Sequence, residues 1–203
     1  MKYNKIMIEG NIGVGKTTLT RMLAKHFNTK ALLESDLDVK LLEKFYEKEI
    51  PSMLVEFEFL IERYKQLTIN SGKFISDYSY YRTQVFAECN LDPLELDIFY
   101  KYYNTFFKSK FEVDLIIFLH AEVDQLLKNI RNRGIDYEQS IQADYLKLLE
   151  KNFDHLISTR TDKKILKIDL NDVDFSSSGY QFNQILDWLK DDYLLGLNHR
   201  KFN

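Results

Sequence analysis

Gly10-Asn11-Ile12-Gly13-Val14-Gly15-Lys16-Thr17 is the stretch on which the fold turns. It fits the pattern G-x4-G-K-[ST], and its neighbours supply the context that the pattern needs. Before it, Lys5-Ile6-Met7-Ile8-Glu9 is a short apolar run of strand type. After it, Leu19, Met22, Leu23, Ala24 and Phe27 recur at helical spacing. Glycines let backbone N–H groups converge on phosphate oxygens, and the N-terminus of the following helix adds a partial positive charge. Such a loop, here Gly10, Asn11, Ile12, Gly13, Val14, Gly15, Lys16, Thr17 and Thr18, predicts an ATP site. Lys16 would reach the β- and γ-phosphates, and the Thr17 hydroxyl would ligate Mg²⁺.

Outward from the loop the chain alternates. Ala31-Leu32-Leu33 reads as a second strand, 39–48 as a helix, and 52–70 as a long helix entered after Pro51. Phe74-Ile75-Ser76-Asp77 reads as a third strand ending on an acid, followed by helices over 81–89 and 93–108. Asp92-Pro93-Leu94-Glu95 carries an acceptor, a proline and a glutamate in the order that opens a helix. Leu115-Ile116-Ile117-Phe118-Leu119 is continuously apolar, as in a strand buried on both faces of a parallel sheet. Helices over 122–133 and 143–158 flank a polar break, Ile165-Leu166-Lys167-Ile168 is a fifth strand, and 180–193 reads as a closing helix. The stretch 172–179, with its three serines, reads as a loop. This order predicts one α/β P-loop domain over 1–203: a five-stranded parallel sheet with helices on both faces and a short lid at about 128–140.

Composition narrows the class. The 203 residues carry 28 basic and 31 acidic side chains, a formal charge of −3, which argues against a nucleic-acid polymer as partner. No apolar run approaches the ~20 residues that cross a bilayer, so no membrane partner is expected. One cysteine, Cys89, and the absence of a leader pattern at Met1-Lys2-Tyr3-Asn4 predict a cytoplasmic protein without disulfides. The four histidines, scattered along the chain, show no metal-ligand spacing with Cys89.

The phosphate loop names the donor and leaves the acceptor open. A GTPase would carry N-K-x-D, and Asn171-Asp172-Val173-Asp174 lacks its lysine. Further matches follow in order: Ile8-Glu9-Gly10-Asn11-Ile12-Gly13 through Thr18, Phe45-Tyr46-Glu47-Lys48, and Arg133-Gly134 followed by Glu138. With these the chain resembles the deoxyribonucleoside kinases, in particular the bacterial deoxyadenosine/deoxyguanosine kinase branch, from residue 3 to about 170.

The resemblance implies phosphorylation of a nucleoside 5′-hydroxyl by Mg²⁺-ATP, in a homodimer. It implies Glu34 as general base, Asp77 beside Thr17 at the metal, and Tyr46 and Glu138 on the sugar 3′-hydroxyl. Glu56 and Arg63, seven apart and so on one helix face, would read the base, and Arg131 and Arg133 of the lid would clamp the transferring phosphoryl group. Several have a plainer reading: Glu34 an exposed glutamate, Asp77 a helix N-cap, Glu56 a partner of Arg63 or Arg82, and Arg131 and Arg133 a solvated helix end.

The chain also departs from the family. Ser35 follows Glu34 where proline or an acid is usual, and Asp77-Tyr78-Ser79 and Arg133-Gly134-Ile135 each lack an arginine of the family pattern. Tyrosine carries no fixed charge, so another cation must act or turnover is slow. Arg82 lies near in sequence, about one helical turn on. Glu56 replaces the usual glutamine, and an ionised carboxylate only accepts hydrogen bonds. Guanine offers two adjacent donors, whereas adenine offers one donor beside an acceptor. Deoxyguanosine is therefore expected over deoxyadenosine, with other 2-amino-4-oxo heterocycles also fitting. A nucleoside monophosphate kinase and a catalytically weak nucleotide-binding regulator are the rival readings.

Overall fold

The structure, a computed structural model, describes residues 1–34, 39–107, 111–171, 173, 175 and 179–202. Ser35, Lys108, Asp172, Asp174 and the serines at 176–178 lie outside the described residues. The elements are β1 (Lys5–Gly10), α1 (Lys16–His26), β2 (Lys30–Leu32), α2 (Val39–Tyr46), α3 (Ser52–Ile69), β3 (Phe74–Ser76), α4 (Tyr80–Asn90) and α5 (Pro93–Phe107). There follow β4 (Leu115–His120), α6 (Val123–Arg133), a short 3₁₀ helix (Asp136–Ser140), α7 (Ala143–Thr159), β5 (Lys164–Asp169), α8 (Gly179–Trp188) and β6 (Gly196–Lys201).

The strands form one sheet in the order β2-β3-β1-β4-β5-β6, with every pairing parallel. The central strands are buried on both faces: Ile6, Met7 and Ile8 of β1 and Leu115 to Leu119 of β4 are all buried. This is why they read as unbroken apolar runs. At the start of α5 the Asp92 carboxylate accepts from the N–H groups of Leu94 and Glu95, at 2.8 and 2.9 Å, and Glu95 accepts from Asp92 N at 3.2 Å. The acid at 92 and the glutamate at 95 thus satisfy N–H groups that the helix end leaves unpaired.

The sheet has six strands where the sequence suggested five, and the closing helix ends at Trp188 instead of running to Tyr193. Tyr193 instead stacks on Tyr3, ring centroids 6.3 Å apart. β6 then pairs with β5, Ile165 opposite Leu197 and Ile168 opposite Arg200. It escaped the sequence reading because Gly196-Leu-Asn-His-Arg-Lys alternates between half-buried and exposed positions and holds no apolar run. The polar break after Gly134 is in fact the 3₁₀ helix.

From β1 the chain crosses to β2 and β3 on one side and later to β4 on the other. The loops leaving β1 and its neighbours therefore diverge, which opens a crevice at the strands' C-terminal ends. Gly10, the last residue of β1, sits opposite Leu119 with φ 140°. A Cβ there would meet the Leu119 carbonyl oxygen at 2.3 Å. Because that carbonyl belongs to the adjacent strand, it cannot retreat without parting β1 from β4. Gly10→Ala is expected to cost about 3 kcal/mol or more of stability. Urea titration of both proteins checks this, and equal midpoints would show that the junction tolerates a side chain.

Candidate active site

On the donor side, the Lys16 ammonium is buried and donates to the Asn11 carbonyl at 2.8 Å. Burial and then the Arg82 charge lower its pKa, and burial raises that of its neighbour Glu9. Asn11 anchors the loop to α7, its amide donating to Leu146 O at 2.8 Å and to Glu150 at 3.2 Å. Its side-chain oxygen Oδ1 accepts from Ile12 N at 2.8 Å. Asn129 of α6 holds the Gly13 carbonyl at 2.9 Å. Ile12, Gly13, Lys16 and Thr17 line the cleft, whereas Val14 packs into the core and Thr18 faces outward.

Asp77, just beyond β3, joins this loop to the acceptor side. Its Oδ2 accepts from the Thr17 hydroxyl at 2.5 Å and its Oδ1 from the backbone N–H of Glu34 at 2.7 Å. It does not cap α4; Ser79 does, accepting from Tyr81 N at 3.1 Å. Burial, then the nearby Glu34 charge, raises the Asp77 pKa. Glu34 itself meets two arginines: Arg63 Nη2 donates to its Oε1, and Arg82 Nε lies 3.2 Å from Oε2. Burial alone would raise this carboxyl, but Arg82 and then Arg63 pull it down to about 2. Glu34 is therefore charged throughout the neutral range.

Tyr46, Glu56, Arg63, Arg133, Tyr137 and Glu138 line the same cleft. Burial keeps the Tyr46 phenol protonated and able to donate, and its ring stacks on Tyr137 at 5.7 Å. Arg133 pairs with Glu138. Arg131 is exposed and borders a separate depression with Leu127 and Gln142, so the structure does not bring it to the cleft. Glu56 is buried and bonds neither Arg63 nor Arg82; its Oε1 accepts from the Asn90 amide at 2.7 Å. Arg63 donates Nη1 to Thr83 at 2.7 Å, while its buried Nε–H has no partner. Burial raises the Glu56 pKa to about 7 even though the Asn90 bond lowers it.

Arg82 is the cation that the sequence left one turn away. It is buried, its Nη1 donates to the Gly10 carbonyl at 3.0 Å, and its guanidinium lies 4.4 Å from the Phe86 ring centroid. Long side chains on a helix lean towards its N-terminus. From the first turn of α4 this one accordingly reaches back to the strand ends, a signal available from the sequence. Tyr78 turns the other way, buried in the core with its hydroxyl on Gln66. Glu9 was also missed; it accepts from Ser79 N at 3.0 Å and so fixes where α4 begins.

Among the described residues no cluster of three or more His, Cys, Asp or Glu side chains is set up to hold a metal. The adjoining Thr17 and Asp77 oxygens nonetheless fit a Mg²⁺ that takes few protein ligands and fills its shell with water and phosphate. The cleft thus combines an anion-binding loop, the charged Glu34 carboxylate between two arginines, and a wall in which Val55, Phe59 and Phe86 lie beside Glu56 and Arg63.

A family model described as deoxynucleoside kinase matches residues 6–193. The chain is 33% identical over 199 residues to a deoxyguanosine kinase of Bacillus subtilis, covering 92% of this chain and 96% of that one. It is 31% identical over 198 residues to the deoxyadenosine/deoxycytidine kinase of the same organism, covering 92% and 91%. Its fold is similar to that of deoxyadenosine kinase from M. mycoides with bound dCTP, with a TM-score of 0.80, 22% identity, and 92% and 98% of the two chains covered. A match along nearly the whole chain, on the fold and cleft described above, meets the expectation from the ordered motifs: the chain belongs to the deoxynucleoside kinases, and is a phosphotransferase.

Proposed function

We propose that this kinase transfers phosphate from Mg²⁺-ATP to the 5′-hydroxyl of a purine deoxynucleoside, and that it prefers deoxyguanosine to deoxyadenosine. The observation that carries the preference is the placing of Glu56 and Arg63 on one face of α3, both lining the same cleft. An ionised Glu56 accepts from the ring N–H and 2-amino group of guanine. The Arg63 guanidinium, which lines the cleft, suits the guanine O6, an acceptor where adenine carries an amino group. A buried donor facing that amino group would stay unsatisfied, which is the stronger half of the discrimination.

Lys16 and the loop amides hold the phosphates of the donor. Thr17 and Asp77 would hold Mg²⁺, which would supply neutralisation of charge on the phosphate oxygens. Tyr46 donates to the sugar 3′-hydroxyl and Glu138 accepts from it. Glu34 accepts the hydrogen bond of the 5′-hydroxyl and takes its proton. A carboxylate with a pKa near 2 is a weak base, but phosphoryl transfer through a loose transition state calls on the base late. Its main work is to orient the hydroxyl for in-line attack. Arg82 stands in for the charge that Tyr78 lacks, bonding both Gly10 of the phosphate loop and Glu34. Arg133 supplies the second positive charge from the lid; Arg131 has no part in this reading.

An acceptor panel with Mg²⁺-ATP should give a kcat/KM for deoxyguanosine at least about tenfold above that for deoxyadenosine, the scale of one well-placed hydrogen bond. Deoxyadenosine ahead by the same factor would overturn the base assignment. Preferred turnover of dGMP or a hydroxymethylpterin would overturn the nucleoside assignment. Glu34→Gln should lower kcat by about 10²-fold or more, and Arg82→Met by a comparable factor with Arg82→Lys restoring part of it. Circular dichroism confirms the folds; full activity in either Glu34→Gln or Arg82→Met removes that residue's role.

Lys16 yields a second test. Its pKa is lowered in the free protein, and a polyphosphate beside it raises it again, so at about pH 8 ATP binding should take up protons. Calorimetry in buffers of different ionisation enthalpy reads the uptake. It should vanish in Lys16→Met.

A further inference from the structure

Behind the base-reading wall lies a relay of side chains that the phosphotransfer does not use. Tyr145 of α7 donates its hydroxyl to the Asn90 carbonyl oxygen at 3.1 Å, and the Asn90 amide nitrogen at the end of α4 donates to Glu56 Oε1 at 2.7 Å. Neither Asn90 nor Tyr145 lines the cleft. Glu56 is 3% exposed, so burial raises its carboxyl first, and the Asn90 bond is the next largest influence, acting the other way.

We propose that Asn90, oriented by Tyr145, is the positioning residue for purine choice: by donating to Glu56 it holds that carboxylate as an acceptor-only group, the form that reads guanine. The inference rests on the assignment of Glu56 to the base, made above. The two purines need different protonation states of one side chain. Ionised Glu56 accepts from both adjacent donors of guanine. Protonated Glu56 becomes donor and acceptor together, as a glutamine would be, and matches the N1 acceptor and 6-amino donor of adenine. A donor aimed at Oε1 stabilises the first form over the second. Were the Asn90 amide reversed, its oxygen would face Glu56 and favour the proton; the Tyr145 hydroxyl on that oxygen stabilises the observed orientation.

The other groups around Glu56 do not reverse this. Arg63 on its own helix and Arg82 on α4 favour its charge, and Glu34 beyond β2 opposes it. Cys89 of α4 and Tyr145 of α7 are both pushed up by burial, Cys89 to about 11, and stay neutral across the working range. Burial sets the midpoint of Glu56 at about 7 with the Asn90 bond in place. Deoxyguanosine use should therefore rise, and deoxyadenosine use fall, as pH climbs through that value. Lys16, Glu9 and Glu34 act on both nucleosides alike, so the ratio of the two kcat/KM values isolates Glu56.

The experiment measures that ratio from about pH 6 to about pH 8.5, on either side of the Glu56 midpoint. In the unmodified protein the deoxyguanosine-to-deoxyadenosine ratio should rise about tenfold or more across the range. Asn90→Leu should move the rise up by roughly one pH unit and lower the ratio at about pH 7.5 at least fivefold, through the KM for deoxyguanosine and not kcat. Tyr145→Phe, which removes one oxygen and adds no bulk, should shift it the same way by less, and it decides the matter if Asn90→Leu does not fold. Glu56→Gln should flatten the profile, and adding Asn90→Leu to it should change the ratio no further. If Asn90→Leu and Tyr145→Phe slow both nucleosides equally, or act undiminished in the Glu56→Gln background, the positioning role is overturned while the Glu56 assignment stands. If Glu56→Gln itself leaves the ratio and its pH dependence unchanged, the base assignment beneath it is what has failed.

Discussion

The Asp77 carboxylate is the clasp on which the cleft depends. One oxygen takes the Thr17 hydroxyl and the other the Glu34 backbone N–H, so a single side chain locks the phosphate loop and the ends of β2 and β3 together. β2 is only three residues long, so among the described residues Glu34 is fixed by this bond to its backbone together with the Arg63 and Arg82 bonds to its side chain. The Thr17 hydroxyl and the Glu34 carboxylate share one support. In the proposed function this would hold donor and acceptor in a common frame, as an in-line transfer requires.

Around that clasp the cleft concentrates buried charge. Arg82 and Arg63 are almost fully buried and both are spent on Glu34. Burying such groups is unfavourable unless each charge finds partners, and removing one partner is more damaging than removing the set. Arg82 and Arg63 flank Glu34, and this explains opposite shifts on two nearby carboxyls: Glu34 is depressed by two arginines, while Glu56, with a neutral amide for a partner, is raised by burial.

The parts of this architecture that were legible in the sequence are those with local signatures. The phosphate loop is contiguous, β4 is a run of five apolar residues, and the α5 start spells out its own cap. Asp77 and Glu34 were singled out through the family resemblance, with the crevice at the strand ends of a parallel sheet as physical support. The rest depended on contacts between distant segments. Arg82 required the direction of a helical side chain, not its position alone. The link from Tyr145 to Asn90 spans 55 residues and leaves no local trace. β6 was invisible because an edge strand with one exposed face needs no apolar run, and Arg131 looked equivalent to Arg133 only until two residues of helical rotation placed it on another side.

That polar edge strand also bears on how the molecule behaves in a crowd. β5 offers Ile165, Leu166 and Ile168, all buried, and without a neighbour it would end the sheet in an apolar strand with unpaired N–H and C=O groups. β6 covers it with a strand whose exposed positions are Leu197, His199 and Lys201. Charged side chains along an open edge discourage a second chain from adding to it. The last strand therefore serves as a gatekeeper against edge-to-edge aggregation.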